Sequence, residues 1–142
     1  MTATVAMPAR AFVDPAQELD TPCMVIDEAV LHQNIAEMAA WAKSIGVAMR
    51  PHIKTHQTPE IAKLQLAAGA IGVTCAKLGE AEVMANAGIE DILIGHEIVG
   101  APKIRRLLAL MERARVIVGV DSHEGAEALS AAMAPAERTL EV

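Results

Sequence analysis

The chain has 142 residues, a formal net charge of −6 and a hydrophobic content of 53%, with one Trp, one Phe and no Tyr. That length fits one domain with a real core, and the aliphatic palette belongs to packed helices and parallel strands rather than to an aromatic-rich sandwich. The acidic balance argues against a nucleic-acid partner, whose phosphates need a cationic surface; Lys63 and Gln65 interrupt the most apolar stretch, so a membrane span is not expected either.

The first twenty residues contain Arg10 and several Ala and Pro, but no continuous apolar core of signal-peptide type. A mobile arm over residues 1–20, a domain over 21–142 and a soluble, cytoplasmic protein are the expectations. Residues 23–26 predict a strand, and Asp27 a cap for a helix whose apolar positions Leu31, Ile35, Met38, Ala42 and Ile45 step by three or four before Gly46 ends it. Residues 47–49 predict the next strand. Thr58-Pro59-Glu60 combines a capping hydroxyl, a first-turn proline and an acid at the positive end of the helix dipole, and Gly69 closes that helix. Strand is predicted again over 71–75, a short helix over 80–86 ending at Gly88, and a strand over 91–94. A helix over 102–114 puts Ile104, Leu107, Leu108 and Met111 on one stripe, and its basic cluster Lys103, Arg105 and Arg106 reads as a solvated face. Residues 116–120 form a strand, Ser122 caps a helix carrying Ala126, Leu129 and Met133, and residues 139–142 begin another strand. Cys23 and Cys75 lack metal-ligand spacing and are too few for a disulfide framework, so both are expected as small buried hydrophobes in strands.

This strict alternation of strand and helix argues for an α/β fold with a parallel sheet and helices outside it. Right-handed crossovers leave two architectures, an open doubly wound sheet or part of a barrel.

The densest chemistry lies in residues 50–56, Arg-Pro-His-Ile-Lys-Thr-His. In an extended segment Arg50, His52, Lys54 and His56 share one face, and Met49, Pro51, Ile53 and Thr55 the other. Such a cationic row is costly to bury and should meet ligand or water. An amine at the mouth of a parallel sheet can form an imine with an aldehyde, and Arg50 and His52 would favour the free amine by disfavouring the ammonium. By composition alone, an ordinary exposed lysine is the favoured reading of Lys54. His52 and His56 are placed to orient a ring, stack on it or shuttle protons, or else to serve the structure. A shared metal would need helical geometry that Pro51 opposes, so no metal site is assigned to the pair. Arg50 would pair with an acid in a barrel interior or meet a cofactor oxygen. Lys77, Glu80, His96 and Asp121 follow later strands and are weaker candidates or loop residues; Asp121 competes with Ser122 as a helix cap.

The heptapeptide at 50–56, preceded by Thr21-Pro22-Cys23-Met24-Val25-Ile26-Asp27 and followed through Asn34, resembles the amino-terminal part of the D-threonine aldolase and D-serine dehydratase group. The resemblance runs from about Asp20 to the end of the chain. It implies a partial (β/α)8 barrel of the alanine-racemase-like type, about its first half, starting at Val47 and in its fifth strand when the sequence ends, with residues 23–26 one strand of a second, β-rich domain. It also implies that Lys54 carries pyridoxal 5'-phosphate, with Arg50, His52 and His56 beside the cofactor. A divalent metal, Mn, Mg or Zn, is expected only with later segments, as are the phosphate-binding loop and the arginine near the cofactor; the nine glycines here supply no Gly-rich loop leading into a helix.

The implied function is the amino-terminal portion of a lyase acting on D-3-hydroxy amino acids, by retro-aldol cleavage or by elimination of the β-hydroxyl, inactive as an isolated chain. An amino-acid racemase on the same scaffold would need a second acid/base, commonly tyrosine in the resembling racemases, and there is none here. A non-catalytic pyridoxal-phosphate binder and an inactive fragment are further alternatives. Implied partners are a small D-amino acid and either a second copy or a downstream polypeptide to cover the open sheet edge. All of this requires the Lys54 amine at an open rim beside neighbouring bases.

Overall fold

Three strands, β1 (Val73–Cys75), β2 (Asp91–Ile94) and β3 (Arg115–Val118), pair in parallel in the order β1-β2-β3. A computed structural model of the chain describes residues 19–142, so the arm expected over residues 1–20 lies almost wholly outside the described residues. Consecutive strands run in the same direction and must be joined by crossovers; α3 (Leu78–Asn86) and α4 (Ala101–Leu110) provide them. Before the sheet come α1 (Glu28–Ser44) and α2 (Pro59–Ala67), and after it α5 (His123–Met133) with a final 3₁₀ turn (Ala134–Ala136).

Two further segments extend the sheet at its edges. His52 bridges Thr74 in parallel, and Met49 O and Pro51 O accept from the amides of Ile71 (2.9 Å) and Thr74 (2.7 Å). On the far side Glu141 bridges Ile117, and its carbonyl accepts from Val118 N–H at 3.0 Å. Proline at 51 has no N–H, which is why the first segment pairs without forming a continuous ladder. The five segments thus lie side by side in chain order, as the opening half of a parallel barrel requires.

Val73, Cys75, Ile92, Ile94, Val116 and Val118 alternate along their strands and are buried against Leu78, Ala81, Met84, Ile104, Leu107 and Leu110 of the helices. Each large aliphatic side chain so buried contributes about 1.5–3 kcal/mol. Thr74, Leu93 and Ile117, in register on the opposite face, are only half-buried. Parallel strands normally have both faces covered, so this is the face that would line a barrel.

Several sequence expectations hold with shifted ends. The helix over 102–114 stops at Leu110, and β3 spans Arg115–Val118 rather than 116–120. Asp27 caps α1 by accepting from Val30 N–H at 3.0 Å, and Ser122 Oγ caps α5 by accepting from Gly125 N–H at 3.2 Å, leaving Asp121 exposed and out of the cap. Thr58, by contrast, does not cap α2 with its side chain; its hydroxyl donates back to His56 O. The strand expected over 23–26 is absent: those residues are exposed and lie in no ladder, because no neighbouring strand among the described residues offers partners. Cys23 is therefore exposed rather than buried, whereas Cys75 is fully buried in β1.

Burial first, and the Glu80 carboxylate second, push the Cys75 thiol up to about 12. Since the thiolate is the reactive form, a disulfide reagent at pH 8 should titrate one equivalent, Cys23, in the native chain and two after denaturation. Among the described residues no helix is long and apolar enough to cross a membrane.

Candidate active site

Residues 50–56 do not remain extended. The strand ends at His52, and residues 53–57 turn back on themselves, closed by Gln57 N–H donating to Ile53 O at 2.7 Å. The reason lies in Ile53, whose aliphatic side chain is fully buried and pins the chain into the core just as the strand runs out. The expectation of one shared face for Arg50, His52, Lys54 and His56 is thereby corrected: the structure sends these side chains to different environments.

His52 lies in register with Thr74, Leu93, Ile117 and Glu141 on the open face of the sheet. Its Nδ1 accepts from Lys54 N–H at 3.3 Å. Lys54 itself is exposed just past the C-terminal end of the first segment and makes no ion pair among the described residues. It lines none of the three main cavities. Lys77, His96 and Asp121 are likewise exposed beyond the C-terminal ends of the neighbouring strands, on the end of the sheet where active sites of parallel barrels collect.

Arg50 sits two residues below His52, one layer deeper in the sheet. Its Nη1 donates to Asp91 Oδ1 at 2.5 Å, and Arg115 Nη1 donates to the other carboxylate oxygen at 2.8 Å. Arg115 in turn holds Glu141 through Nε at 2.7 Å and through Nη2. The result is an alternating chain of charges, Arg50, Asp91 and Arg115 across the sheet below the rim, closed by Glu141 from the layer above. Burial tends to raise the Asp91 pKa, but the bonds from Arg50 and Arg115 outweigh it and leave the carboxyl below its ordinary range. Between the two alternatives for Arg50, the structure shows the acid partner.

Gly72 is the residue that permits this row, and sequence reasoning missed it. Arg50 reaches Asp91 by passing over the position where a side chain at 72 would stand: a Cβ there would lie 2.5 Å from Asp91 O and 2.9 Å from its Oδ1. The signal available beforehand was a glycine inside a predicted strand, which often marks close backbone approach.

His56 points elsewhere again, into a groove of about 660 Å³ between α1, α2 and the first segment, among Met49, Pro51, Ile61 and Gln65. Its Nδ1 accepts from Thr58 N–H at 3.0 Å. Burial holds its pKa below the ordinary histidine range. Glu80 is also structural: one carboxylate oxygen accepts from Ala76 N–H at 2.7 Å and the other from Gln57 Nε2 at 3.4 Å, tying α3 to the turn. Among the described residues no group of three or more His, Cys, Asp or Glu is gathered that could hold a metal ion.

A half-open parallel β/α barrel with a free lysine at its C-terminal rim defines the class of protein. Residues 26–142 match the model of the alanine racemase N-terminal domain, and the chain belongs to that family. It is 43% identical to the D-threonine aldolase of an Arthrobacter species over 91% of its own length and 34% of that enzyme's. It is also 40% identical to the 3-hydroxy-D-aspartate aldolase of Paracoccus denitrificans, covering 81% of this chain and 30% of the relative. The crystal structure of D-threonine aldolase from Filomicrobium marinum superposes with a TM-score of 0.82 at 46% identity, over 85% of this chain and 33% of that one. The chain thus spans about a third of the length of the relatives it matches.

Proposed function

We propose that this chain contributes the amine-bearing rim of a pyridoxal-phosphate lyase that cleaves or dehydrates D-3-hydroxy amino acids. The observation that carries this reading is Lys54: a primary amine unpaired by any carboxylate among the described residues, exposed past a strand end, with His52 bonded to its own amide. An amine so placed fits an aldehyde cofactor. When bound, pyridoxal phosphate supplies an aldehyde for that amine and a ring that takes up the electrons released at the substrate's α-carbon.

The chain's own residues do the following. His52 fixes the backbone amide of Lys54 through Nδ1, with its ring on the open face of the sheet. Lys54 Nζ is the group of this chain that would hold or move a proton at the substrate's α-carbon. Arg50, held by Asp91, stabilises the strand from the layer beneath. We extend to the whole protein the relatives' substrate class, a small D-amino acid; a divalent ion, for which the described residues gather no ligand group, would have to be held by other segments and would supply charge to the substrate's hydroxyl chemistry. Two specific activities fit this site, aldolase and dehydratase, since both are found among the relatives.

The test is to add pyridoxal phosphate, reduce with borohydride and map the label. It should fall on Lys54, and Lys54→Ala should remove both label and visible absorption band while leaving the folded signal unchanged. Label distributed over Lys63, Lys77 and Lys103 in equal measure would refute the assignment.

A further inference from the structure

We propose that His56 is the positioning residue of the Lys54 turn, a neutral imidazole whose Nδ1 clasps Thr58 and so fixes the bend that presents Lys54 at the rim; its link to catalysis rests on the function proposed above. The turn is held at one end by fully buried Ile53, and Lys54 and Thr55 stand exposed in between. The chain then passes through Gln57 at φ 47°, a left-handed conformation in a residue that is not glycine. Such backbone costs about 1 kcal/mol or more and persists only where surrounding bonds impose it.

Those bonds converge on His56. Thr58 N–H donates to the ring Nδ1 at 3.0 Å while Thr58 Oγ1 donates to His56 O at 2.6 Å, a reciprocal clasp that also joins the turn to the start of α2. Because Nδ1 accepts, the hydrogen of the neutral ring must sit on Nε2. That atom is buried, as is Gln65 Oε1, and neither has a hydrogen-bond partner among the described residues. Gln65 is the acceptor nearest in kind to what Nε2–H needs.

Protonation would put a second hydrogen on Nδ1, facing the Thr58 donor, and the clasp would open. Around the ring, α2 presents Ile61 and Gln65, the first segment presents Met49 and Pro51, and α1 presents Lys43, the other titratable residue lining the groove. Among the described residues no carboxylate lines that groove to compensate an imidazolium. The sequence pattern shows the same device twice, since His52 accepts from the amide two residues on as well.

Ring nitrogen spectra of the isotopically labelled chain, without cofactor, test the clasp directly. The expected result is an Nε2–H tautomer at His56 with the Thr58 amide protected from exchange, and loss of that protection together with movement of the Lys54 amide as the ring protonates. An Nδ1–H tautomer, or a Thr58 amide indifferent to the ring, would overturn the proposal. Borohydride-trapped label on Lys54 gives the second readout. His56→Ala should lower it about tenfold, the equivalent of one lost hydrogen bond. His56→Asn keeps an acceptor two residues before Thr58, so it should restore labelling toward the parent level. An asparagine variant no better than alanine would reject the clasp. Should the unaltered chain take no label at Lys54, the proposed function fails, while tautomer and amide exchange still decide the role of His56.

Discussion

Gly72→Ala should unfold or severely destabilise the domain, with a loss of about 3 kcal/mol or more in a urea titration. An added Cβ meets the Asp91 carbonyl at 2.5 Å, and backbone in the middle of a hydrogen-bonded sheet cannot retreat as a flexible side chain would. It also stands in the path of the Arg50 guanidinium, so the substitution costs both packing and an ion pair. Gly95→Ala is the matching control. Its Cβ would find nothing closer than 3.7 Å, so the change should stay within about 0.5 kcal/mol of the parent. Equal tolerance at both positions would mean that strands β1 and β2 approach less closely at Gly72 than described.

The second large effect is expected at Asp91. Asp91→Ala leaves Arg50, whose side chain is 14% exposed, without its acceptor, while Arg115 keeps Glu141. Removing one member of such a largely buried pair costs about 2–4 kcal/mol, mostly because the remaining charge is stranded. Asp91→Asn, which keeps a hydrogen-bond acceptor but not the charge, should fall between. The pH dependence follows from the depressed carboxyl pKa of Asp91 in the folded chain. The unfolded chain then binds the proton more readily, so the contribution is complete above the ordinary aspartate range and disappears as pH falls through the lower folded value. Acid denaturation of the parent should therefore show a stability loss below about pH 4 that Asp91→Ala lacks. Parallel curves for the two proteins would remove the ion row from the account of stability.

The parallel sheet was legible because aliphatic runs and amphipathic segments alternate without exception from residue 71 onward. Asp91–Ile94 was readable to the residue, since an acidic start and the glycine after its end bracket it. Residues 23–26 misled for the opposite reason: an apolar β-branched run has strand propensity, but pairing requires a neighbour, and propensity cannot supply one. At the candidate site the residue types were visible while their directions were not. Alternation of two holds only as long as the chain stays extended, and buried Ile53 ends the strand before Lys54 is reached. Thereafter His56 turns toward α2 and Lys54 toward solvent, a divergence that depends on tertiary burial. Gly72 and Asp91 were hidden because their importance belongs to a pair of residues far apart in the chain.

The alternating row of charges also has a bearing on how the strands find their alignment. Sliding β2 or β3 by a single residue would turn Asp91 or Arg115 to the helix-covered side, among Val73, Cys75 and their neighbours, where no charged side chain is buried among the described residues. Aliphatic packing alone discriminates poorly between such frames, because isoleucine, valine and leucine exchange readily. The salt-linked stripe therefore works as a proofreading device, rejecting misaligned pairings that greasy contacts would accept.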